Sequence, residues 1–152
     1  MRLLIVEDNL RLAEITAELL HSLDDRPQIS ESITLVSDLQ AAIRRLPEHD
    51  AVLCDGAFPL TRNSSLAAEK WDVVRQEANR RGIHFVLYSG SACALDCARE
   101  SEIPALAKPA AIEEIYAALT GGCLSSIGKS RSESAGMTEN QKLREEKYVA
   151  NF

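Results

Sequence analysis

The sequence predicts an α/β protein in which five strands alternate with five helices and pair as one parallel sheet. Three observations predict this class. The strand candidates, such as residues 3–6 (LLIV), are short apolar runs typical of strands that are buried on both faces. The segments between them carry apolar residues at helical spacing, and the connections are short. Repeated β-α units connect with a right-handed crossover, so we expect a doubly wound sheet with helices on both faces.

The first two units are defined by their helix caps. After the strand at residues 3–6, Asn9 can cap a helix, and residues 32–36 (SITLV) have the β-branched character of a second strand. Ser37 then opens the second helix, with Gln40 completing a capping box. We expect the apolar stripes to be Leu12, Ile15, Thr16 and Leu19 in the first helix, and Leu39, Ala42, Ile43 and Leu46 in the second.

The third unit begins with the stretch AVLCDGAFP, residues 51–59, in which a buried strand ends at Asp55. A loop at 56–64 follows, and then a helix at 65–80 that ends before Gly82. Its apolar face is expected to be Ala67, Trp71, Val74 and Ala78. The remaining elements are a strand at 83–88, a short and weakly patterned helix at 92–100, a strand at 104–107 and a helix at 110–120. The strand at 104–107 (PALA) has poor strand propensity and is assigned from its context.

Composition limits the domain organisation and the partners. The 152 residues, 45% of them hydrophobic, fit one domain at 1–120 and a tail at 121–152. The tail is Ser/Gly-rich and then charged, so we expect it to be flexible, with at most a short helix beyond a Thr138–Gln141 capping box. No apolar run approaches the roughly 20 residues of a membrane span, and we expect a soluble, cytoplasmic protein with no membrane partner. Residues 1–120 carry 12 basic against 19 acidic residues, which argues against a nucleic-acid surface.

The four cysteines do not have the spacing of a zinc site. They are Cys54, Cys93, Cys97 and Cys123. The only close pair is C-x3-C without partner histidines, so we expect buried, reduced thiols rather than metal ligands.

Polar residues follow four of the five predicted strands. Glu7 and Asp8 follow the first strand and Asp55 the third; Ser89 and Lys108 follow the fourth and fifth. Each residue alone has a structural explanation, such as a helix cap or a turn, but parallel strands bring their carboxyl ends to one edge of the sheet. Crowded carboxylates repel one another unless a cation lies among them, and oxygen ligands suit Mg²⁺. With an ammonium and a hydroxyl beside it, such a site can hold a phosphoryl group on Asp55.

These motifs resemble those of response-regulator receiver domains, the phosphoacceptor half of two-component signalling. LIVEDN resembles the acidic pair of that family, DGAFP its D-x-x-x-P phosphoacceptor motif, LYSG its Ser/Thr strand end, and AKP its lysine-proline pair. The resemblance covers residues 1–120. It implies a flavodoxin- or receiver-like sheet with the strand order 2-1-3-4-5. The tail at 121–152 is too short for an effector domain, so we expect a stand-alone, single-domain response regulator.

The resemblance also implies roles for these residues. Asp55 would accept a phosphoryl group from a phosphohistidine on a sensor histidine kinase or a histidine phosphotransfer protein. Ser89 would move to contact the phosphoryl group, and Lys108 would pair with Asp55 or with the phosphoryl oxygens. The Mg²⁺ ligands would be Glu7 (mainly through a water), Asp8, Asp55 and the backbone carbonyl of Ala57. Output would be phosphorylation-dependent binding to an unidentified protein, and relay intermediate and phosphate sink remain open as roles. The chain would be no enzyme beyond its own phosphorylation and dephosphorylation.

Two features depart from the receiver pattern. The aromatic residue usual three positions before the lysine is replaced by Ala105, so we do not expect the usual aromatic switch; Tyr88 is expected to pack in the core. The positions that often tune hydrolysis, two after the phosphoacceptor and two after the hydroxyl residue, are Ala57 and Ser91. Neither is an acid, base or amide that can orient water, which predicts slow self-dephosphorylation.

Two other functions are compatible with this class of sheet. A degenerate receiver could be a constitutive binding or dimerisation module, as Ala105 and the weak fourth helix suggest, although the set of polar strand ends is intact. A small flavin-binding or hydrolytic enzyme is disfavoured, because the chain lacks a Gly-rich phosphate loop and a G-x-S-x-G elbow.

Overall fold

The computed structural model describes residues 1–23, 29, 32–64 and 67–121. The predicted tail beyond residue 121, including Cys123 and the Thr138–Gln141 capping box, lies outside the described residues. The elements in chain order are β1 (Arg2–Val6), α1 (Leu10–His21), β2 (Ser32–Val36), α2 (Leu39–Arg45), β3 (Ala51–Cys54), β4 (Ala57–Pro59), β5 (Ala67–Glu69), α3 (Trp71–Arg81), β6 (His84–Ser89), α4 (Ala92–Glu100), β7 (Ala105–Ala107) and α5 (Ile112–Leu119). A short 3-10 turn, Leu46–Glu48, follows α2. No helix in these ranges is long and apolar enough to cross a membrane.

Five strands form one parallel sheet in the order β2-β1-β3-β6-β7. Because β6 and β7 are the fourth and fifth strands expected from the sequence, the predicted α/β class and the order 2-1-3-4-5 are confirmed. β4 and β5 pair separately as an antiparallel hairpin between β3 and α3. This hairpin was not predicted.

The core lies in two layers, one on each face of the sheet. Alternate residues of the central strands are fully buried on opposite faces, because successive side chains of a strand point to opposite sides. Leu4, Val6, Val52 and Cys54 pack with α2, α3 and α4, whereas Leu3, Ile5, Leu53 and Val86 pack with α1 and α5. This burial on both faces is the reason why the strands read as continuous apolar runs.

The face of α1 that contacts the sheet differs from the predicted stripe. Asn9 caps the helix as expected, accepting a hydrogen bond from Leu12 N at 3.2 Å. The buried residues of α1 are Ala13, Thr16 and Leu20, while Ile15 and Leu19 are 38% and 46% exposed. Of the expected stripe only Thr16 is buried. The face of α1 that packs in the core is therefore the one that carries Ala13, Thr16 and Leu20.

The cap of α2 is also one residue further along than predicted. Asp38, not Ser37, is the N-cap, and its carboxylate accepts a hydrogen bond from Ala41 N at 2.8 Å. An aspartate at this position is as good a cap as a serine, so the sequence did not distinguish the two. The expected apolar stripe of α2 is confirmed, with Leu39, Ala42 and Leu46 buried and Ile43 partly buried.

The segment after β3 is where the prediction was wrong. Residues 57–59, expected in a loop, form β4, and residues 67–69, expected in a helix, form β5. Helix α3 therefore starts at Trp71 rather than at residue 65. Phe58 is fully buried among the side chains beneath α3, and burying this aromatic side chain fixes the hairpin against the domain.

The C-terminal elements follow the prediction closely. Helix α4 has the expected bounds, the poorly patterned strand forms as β7, and α5 buries Ile115, Tyr116 and Leu119. Gly82 ends α3 with a left-handed φ of 70°, a conformation in which glycine is not strained. Among the described cysteines, Cys54 is buried but Cys93 and Cys97 are exposed on α4, which corrects the expectation of buried thiols; all three are free.

Candidate functional site

The ends of the parallel strands bring the predicted polar residues to one edge of the sheet. Backbone hydrogen bonds continue the pairing beyond the strands: Glu7 N donates to Val36 O at 3.0 Å, and Asp55 N donates to Val6 O at 2.8 Å. On the other side of the site Lys108 N donates to Ser89 O at 2.9 Å. The residue after each strand is thus fixed in register with its neighbour, so its side chain has a defined position.

Three of the predicted residues form an acidic cluster. One carboxylate oxygen each from Glu7, Asp8 and Asp55 lies within 4.8 Å of the others. Glu7 is buried, Asp55 is partly buried and Asp8 is exposed, so the cluster opens to solvent on the Asp8 side. In the parts of the chain that the structure describes, this is the only group of three such residues close enough to share a metal ion.

Lys108 forms ion pairs with two of these carboxylates. Its Nζ is 2.5 Å from Glu7 Oε2 and 3.1 Å from Asp55 Oδ1. The three side chains are 18%, 7% and 14% exposed for Lys108, Glu7 and Asp55, so both ion pairs are largely shielded from water. The Lys108 ammonium also lies 5.3 Å from the ring centre of Tyr88, within cation–π distance.

Burial and charge shift the proton affinities of these groups. Burial raises the pKa of Glu7, and the negative charge of Asp55 adds to this rise, although the bond from Lys108 opposes it. Burial alone would lower the pKa of Lys108, but the hydrogen bond to Glu7 and the charges of Asp55 and Glu7 outweigh it and raise the pKa. The pKa of the Cys54 thiol is raised well above its usual value by burial next to Asp55 and Glu7. Lys108 is therefore charged, and Cys54 is a protonated thiol.

The donor set fits a divalent cation. Three carboxylates against one ammonium leave two negative charges uncompensated within this group, and hard oxygen ligands of this kind are those that Mg²⁺ prefers. An open cavity of about 680 Å³ adjoins the cluster, lined by Glu7 and Asp8 and also by Arg44 and Arg62. The Glu7 and Asp8 side of the cluster is therefore accessible to a hydrated ion.

Comparison with solved structures identifies this architecture. The receiver domain of RcsB from Salmonella enterica serovar Typhimurium, determined in the presence of the phosphomimetic BeF3−, superposes with a TM-score of 0.60 at 14% identity, covering 80% of this chain and 89% of that one. The response regulatory domain of mrkE from Klebsiella pneumoniae gives 0.56 at 20% identity, covering 80% and 93%. This chain has the receiver fold.

The comparison establishes the fold and no more. A de novo designed Rossmann 2x3 protein also superposes, with a TM-score of 0.55 at 12% identity, covering 89% of this chain and 98% of that one. No protein-family model and no curated protein sequence matches the chain. The function must therefore be argued from the side chains of the site.

Ser89, the hydroxyl residue expected beside the phosphoacceptor, is buried near Gly56. Ser89 is 2% exposed at the end of β6, and its Oγ accepts a hydrogen bond from Ser91 N at 3.1 Å. A Cβ atom built on Gly56 would lie 2.3 Å from Ser89 Oγ, so the hydroxyl packs directly against the residue that follows Asp55. Gly56 N in turn donates to Asp55 Oδ1 at 2.6 Å. Ser89 therefore lies against Gly56, the residue that follows Asp55.

Sequence reasoning missed two residues of this site. Gly56 gives Ser89 its space, and a small residue directly after the expected phosphoacceptor was the only signal for it. Glu69 lies in β5, opposite Ala57 in β4, and accepts a hydrogen bond from Ser91 Oγ at 2.9 Å. Its position depends on the hairpin, so no sequence motif could reveal it.

Ala105, which stands where receivers usually have an aromatic residue, and Tyr88 lie in different core layers. Ala105 is partly buried in β7 and packs against the core beneath α4. Tyr88 is 7% exposed and lies in the other core layer, under α1 and α5, as expected for a packing residue. Its hydroxyl accepts a weak hydrogen bond from Ala110 N at 3.5 Å, just after the cis Lys108–Pro109 peptide bond.

Proposed function

We propose that this chain is a response-regulator receiver domain that accepts a phosphoryl group on Asp55. The observation that carries the proposal is the position of Asp55 in an acidic cluster beside the partly buried ammonium of Lys108, whose Nζ is 3.1 Å from Asp55 Oδ1. An ionised carboxylate is a sufficient nucleophile towards a reactive phosphoryl group, so no separate base is required. The receiver fold of the chain supports the same reading.

The reaction needs positioning and charge neutralisation. An Oδ atom of Asp55 attacks phosphorus in line as the P–N bond of a donor phosphohistidine breaks, and the bonding electron pair stays on the imidazole. Lys108 offsets negative charge on Asp55 and on the transferred oxygens. Ser89, which packs against Gly56, would donate its hydroxyl hydrogen to a phosphoryl oxygen.

Mg²⁺ fits this site as a cofactor. Glu7, Asp8 and Asp55 would hold it, with the carbonyl of Ala57 as a further ligand, and Glu7 would act mainly through water because Lys108 occupies its Oε2. Bound there, the ion would neutralise charge on the phosphoryl oxygens. The acidic cluster otherwise repels an anionic phosphodonor, so phosphorylation should depend on the metal.

The partners follow from this chemistry. The donor would be a sensor histidine kinase or a histidine phosphotransfer protein in the cytoplasm, and the output would be binding to a protein target rather than to nucleic acid or a membrane. The lifetime of the phosphorylated form and transfer to a second partner would distinguish a relay intermediate from a phosphate sink.

Intact mass after incubation with Mg²⁺ and acetyl phosphate or phosphoramidate tests the proposal. We expect wild-type protein to gain the mass of one phosphoryl group, and Asp55→Asn to gain none. Asp96→Asn, which removes an exposed aspartate on α4, is the control for the loss of charge. Phosphorylation of Asp55→Asn to the wild-type extent would refute Asp55 as the acceptor.

One observation favours a second candidate, a constitutive binding module. Ala105 cannot act as an aromatic switch, so phosphorylation at Asp55 lacks one route to the surface of α4. The two candidates differ in their response to beryllofluoride with Mg²⁺, a phosphoryl mimic. A switch predicts shifts in backbone amide resonances around Ser89 and α4, whereas a constitutive module predicts no change.

A further inference from the structure

The β4–β5 hairpin brings a carboxylate to the edge of the site. Its register pairs Ala57, two residues after Asp55, with Glu69 on the neighbouring strand. Glu69 Oε1 accepts a hydrogen bond from Ser91 Oγ at 2.9 Å, although 22 residues separate the two. Glu69 is exposed, so its other oxygen is accessible to water. The hairpin therefore links the segment after Asp55 to the segment after Ser89.

Ser91 connects this carboxylate to Ser89, which packs against the residue after Asp55. Its Oγ accepts a hydrogen bond from Ala94 N at 3.3 Å as the N-cap of α4, and its backbone N donates to Ser89 Oγ at 3.1 Å. Because its single hydroxyl hydrogen is donated to Glu69, the Ser91 hydroxyl can only accept from a further group. A water molecule beside Ser91 would thus be oriented with a hydrogen towards Ser91 and its oxygen lone pairs free.

Lys108 Nζ contacts Asp55 Oδ1 directly, whereas Ser89 packs against Gly56 and its Oγ accepts a hydrogen bond from Ser91 N. The sequence-based expectation of slow hydrolysis considered only the residues two positions after Asp55 and Ser89. Glu69 adds an acid next to both of those positions.

We propose that Glu69, acting with Ser91, positions the water molecule that hydrolyses the phosphoryl group on Asp55. This inference rests on the proposed function. The water oxygen forms a bond to phosphorus as the bond between phosphorus and Asp55 Oδ breaks, its electron pair returns to the carboxylate, and one water proton is released to solvent. The products are inorganic phosphate and the original Asp55. Glu69 is a positioning residue, and it limits the lifetime of the phosphorylated state.

The test measures two rates on the full chain, phosphorylation by acetyl phosphate with Mg²⁺ and loss of the phosphoryl group after the donor is removed. Glu69→Gln keeps the shape but can present an NH₂ group that turns a water the wrong way. We expect it to lengthen the half-life about tenfold, less than the hundredfold or more of a general base in direct contact, because Glu69 orients water partly through Ser91. Phosphorylation should be unchanged, and Glu69→Asp should recover part of the wild-type hydrolysis rate.

Two further variants sharpen the test. Glu100→Gln removes an acid at the far end of α4 and should keep the wild-type half-life. Ser91→Gly removes the hydroxyl at little cost to the helix cap, because glycine is an acceptable N-cap. It should lengthen the half-life as Glu69→Gln does, and the double variant should lengthen it no further, since the two residues act as one unit.

The outcomes separate this inference from the proposed function. A wild-type half-life in Glu69→Gln would overturn the role of Glu69 while leaving Asp55 as phosphoacceptor. Equal slowing of phosphorylation and hydrolysis would also overturn it, because that pattern indicates a structural effect on the whole site. Both proposals would be overturned if the wild-type protein neither gained a phosphoryl group from acetyl phosphate or phosphoramidate nor responded to beryllofluoride.

Discussion

Replacing Gly56 with alanine should destabilise the protein through a steric conflict with Ser89. A Cβ atom at position 56 would lie 2.3 Å from Ser89 Oγ, 3.0 Å from Ser89 Cβ and 3.4 Å from Ala94 Cβ. Gly56 does not have a positive φ, so the cost comes from packing rather than from backbone strain. Ser89 is 2% exposed in a central strand, and rotating its side chain away would break the bond from Ser91 N.

The magnitude follows from three contributions. Overpacking a buried site costs about 1–3 kcal/mol. Losing the hydrogen bond to Ser89 costs about 1 kcal/mol more. Replacing glycine stabilises by about 0.4–1 kcal/mol through the unfolded chain. We therefore expect Gly56→Ala to lower the free energy of unfolding by about 1–3.5 kcal/mol.

Urea denaturation followed by circular dichroism measures this change, with Gly90→Ala as the matched control. A Cβ at Gly90 would meet no atom within 4 Å, so that variant should stay within about 0.5 kcal/mol of wild type or be slightly stabilised. A Ser89→Gly background lacks the clashing atoms. In that background Gly56→Ala should lower the free energy of unfolding much less than it does in the wild-type protein. If Gly56→Ala unfolded at the same urea concentration as Gly90→Ala, the close packing of Ser89 on Gly56 would be refuted.

Three other variants test the core, the site charges and the pH dependence. Phe58→Ala should lower the free energy of unfolding by about 3–5 kcal/mol in urea, because the ring is fully buried; a loss under 1 kcal/mol would exclude the hairpin from the core. Lys108→Met should lower the free energy of unfolding by about 1–3 kcal/mol without Mg²⁺, because Glu7 and Asp55 lose their cation; this is less than the loss of a partner from a fully buried pair. The loss should be smaller with Mg²⁺. A variant as stable as the wild-type protein without Mg²⁺ would contradict these ion pairs. The hydrogen bonds from Arg2 lower the pKa of Asp50 to about 2, so the stability that it contributes is present above pH 3.8 and lost as the pH falls to about 2. In urea unfolding at a series of pH values, Asp50→Asn should therefore lose less stability than the wild-type protein between pH 3.8 and about 2. If the stability of the two proteins fell equally over this range, the lowered pKa of Asp50 would be contradicted.

The sequence predicted the architecture because its strong signals agree with the tertiary structure. Continuous apolar strands separated by periodic helices fix the parallel sheet, and the strand-end rule then places Glu7, Asp8, Asp55, Ser89 and Lys108 at one edge. Even the poorly patterned β7 forms as expected, because a parallel sheet with this order needs a strand beside β6.

The errors have physical causes. Ala67–Glu69 has helix-forming composition but forms β5, because pairing with β4 and burial of Phe58 override local propensity. In α1 two sets of residues have helical spacing, and the periodicity did not show that the set containing Ala13 packs against the sheet. The contact between Glu69 and Ser91 depends on this unpredicted hairpin and could not be read from the sequence.

Locating the phosphoryl group on the chain tests the central claim most directly. Borohydride reduces an aspartyl phosphate to homoserine, and peptide mass spectrometry then identifies the reduced position. After incubation with Mg²⁺ and a small phosphodonor, we predict homoserine at position 55 in wild-type protein and at no position in Asp55→Asn. Reduction at another carboxylate, or a phosphoryl group that resists borohydride, would contradict Asp55 as the phosphoacceptor.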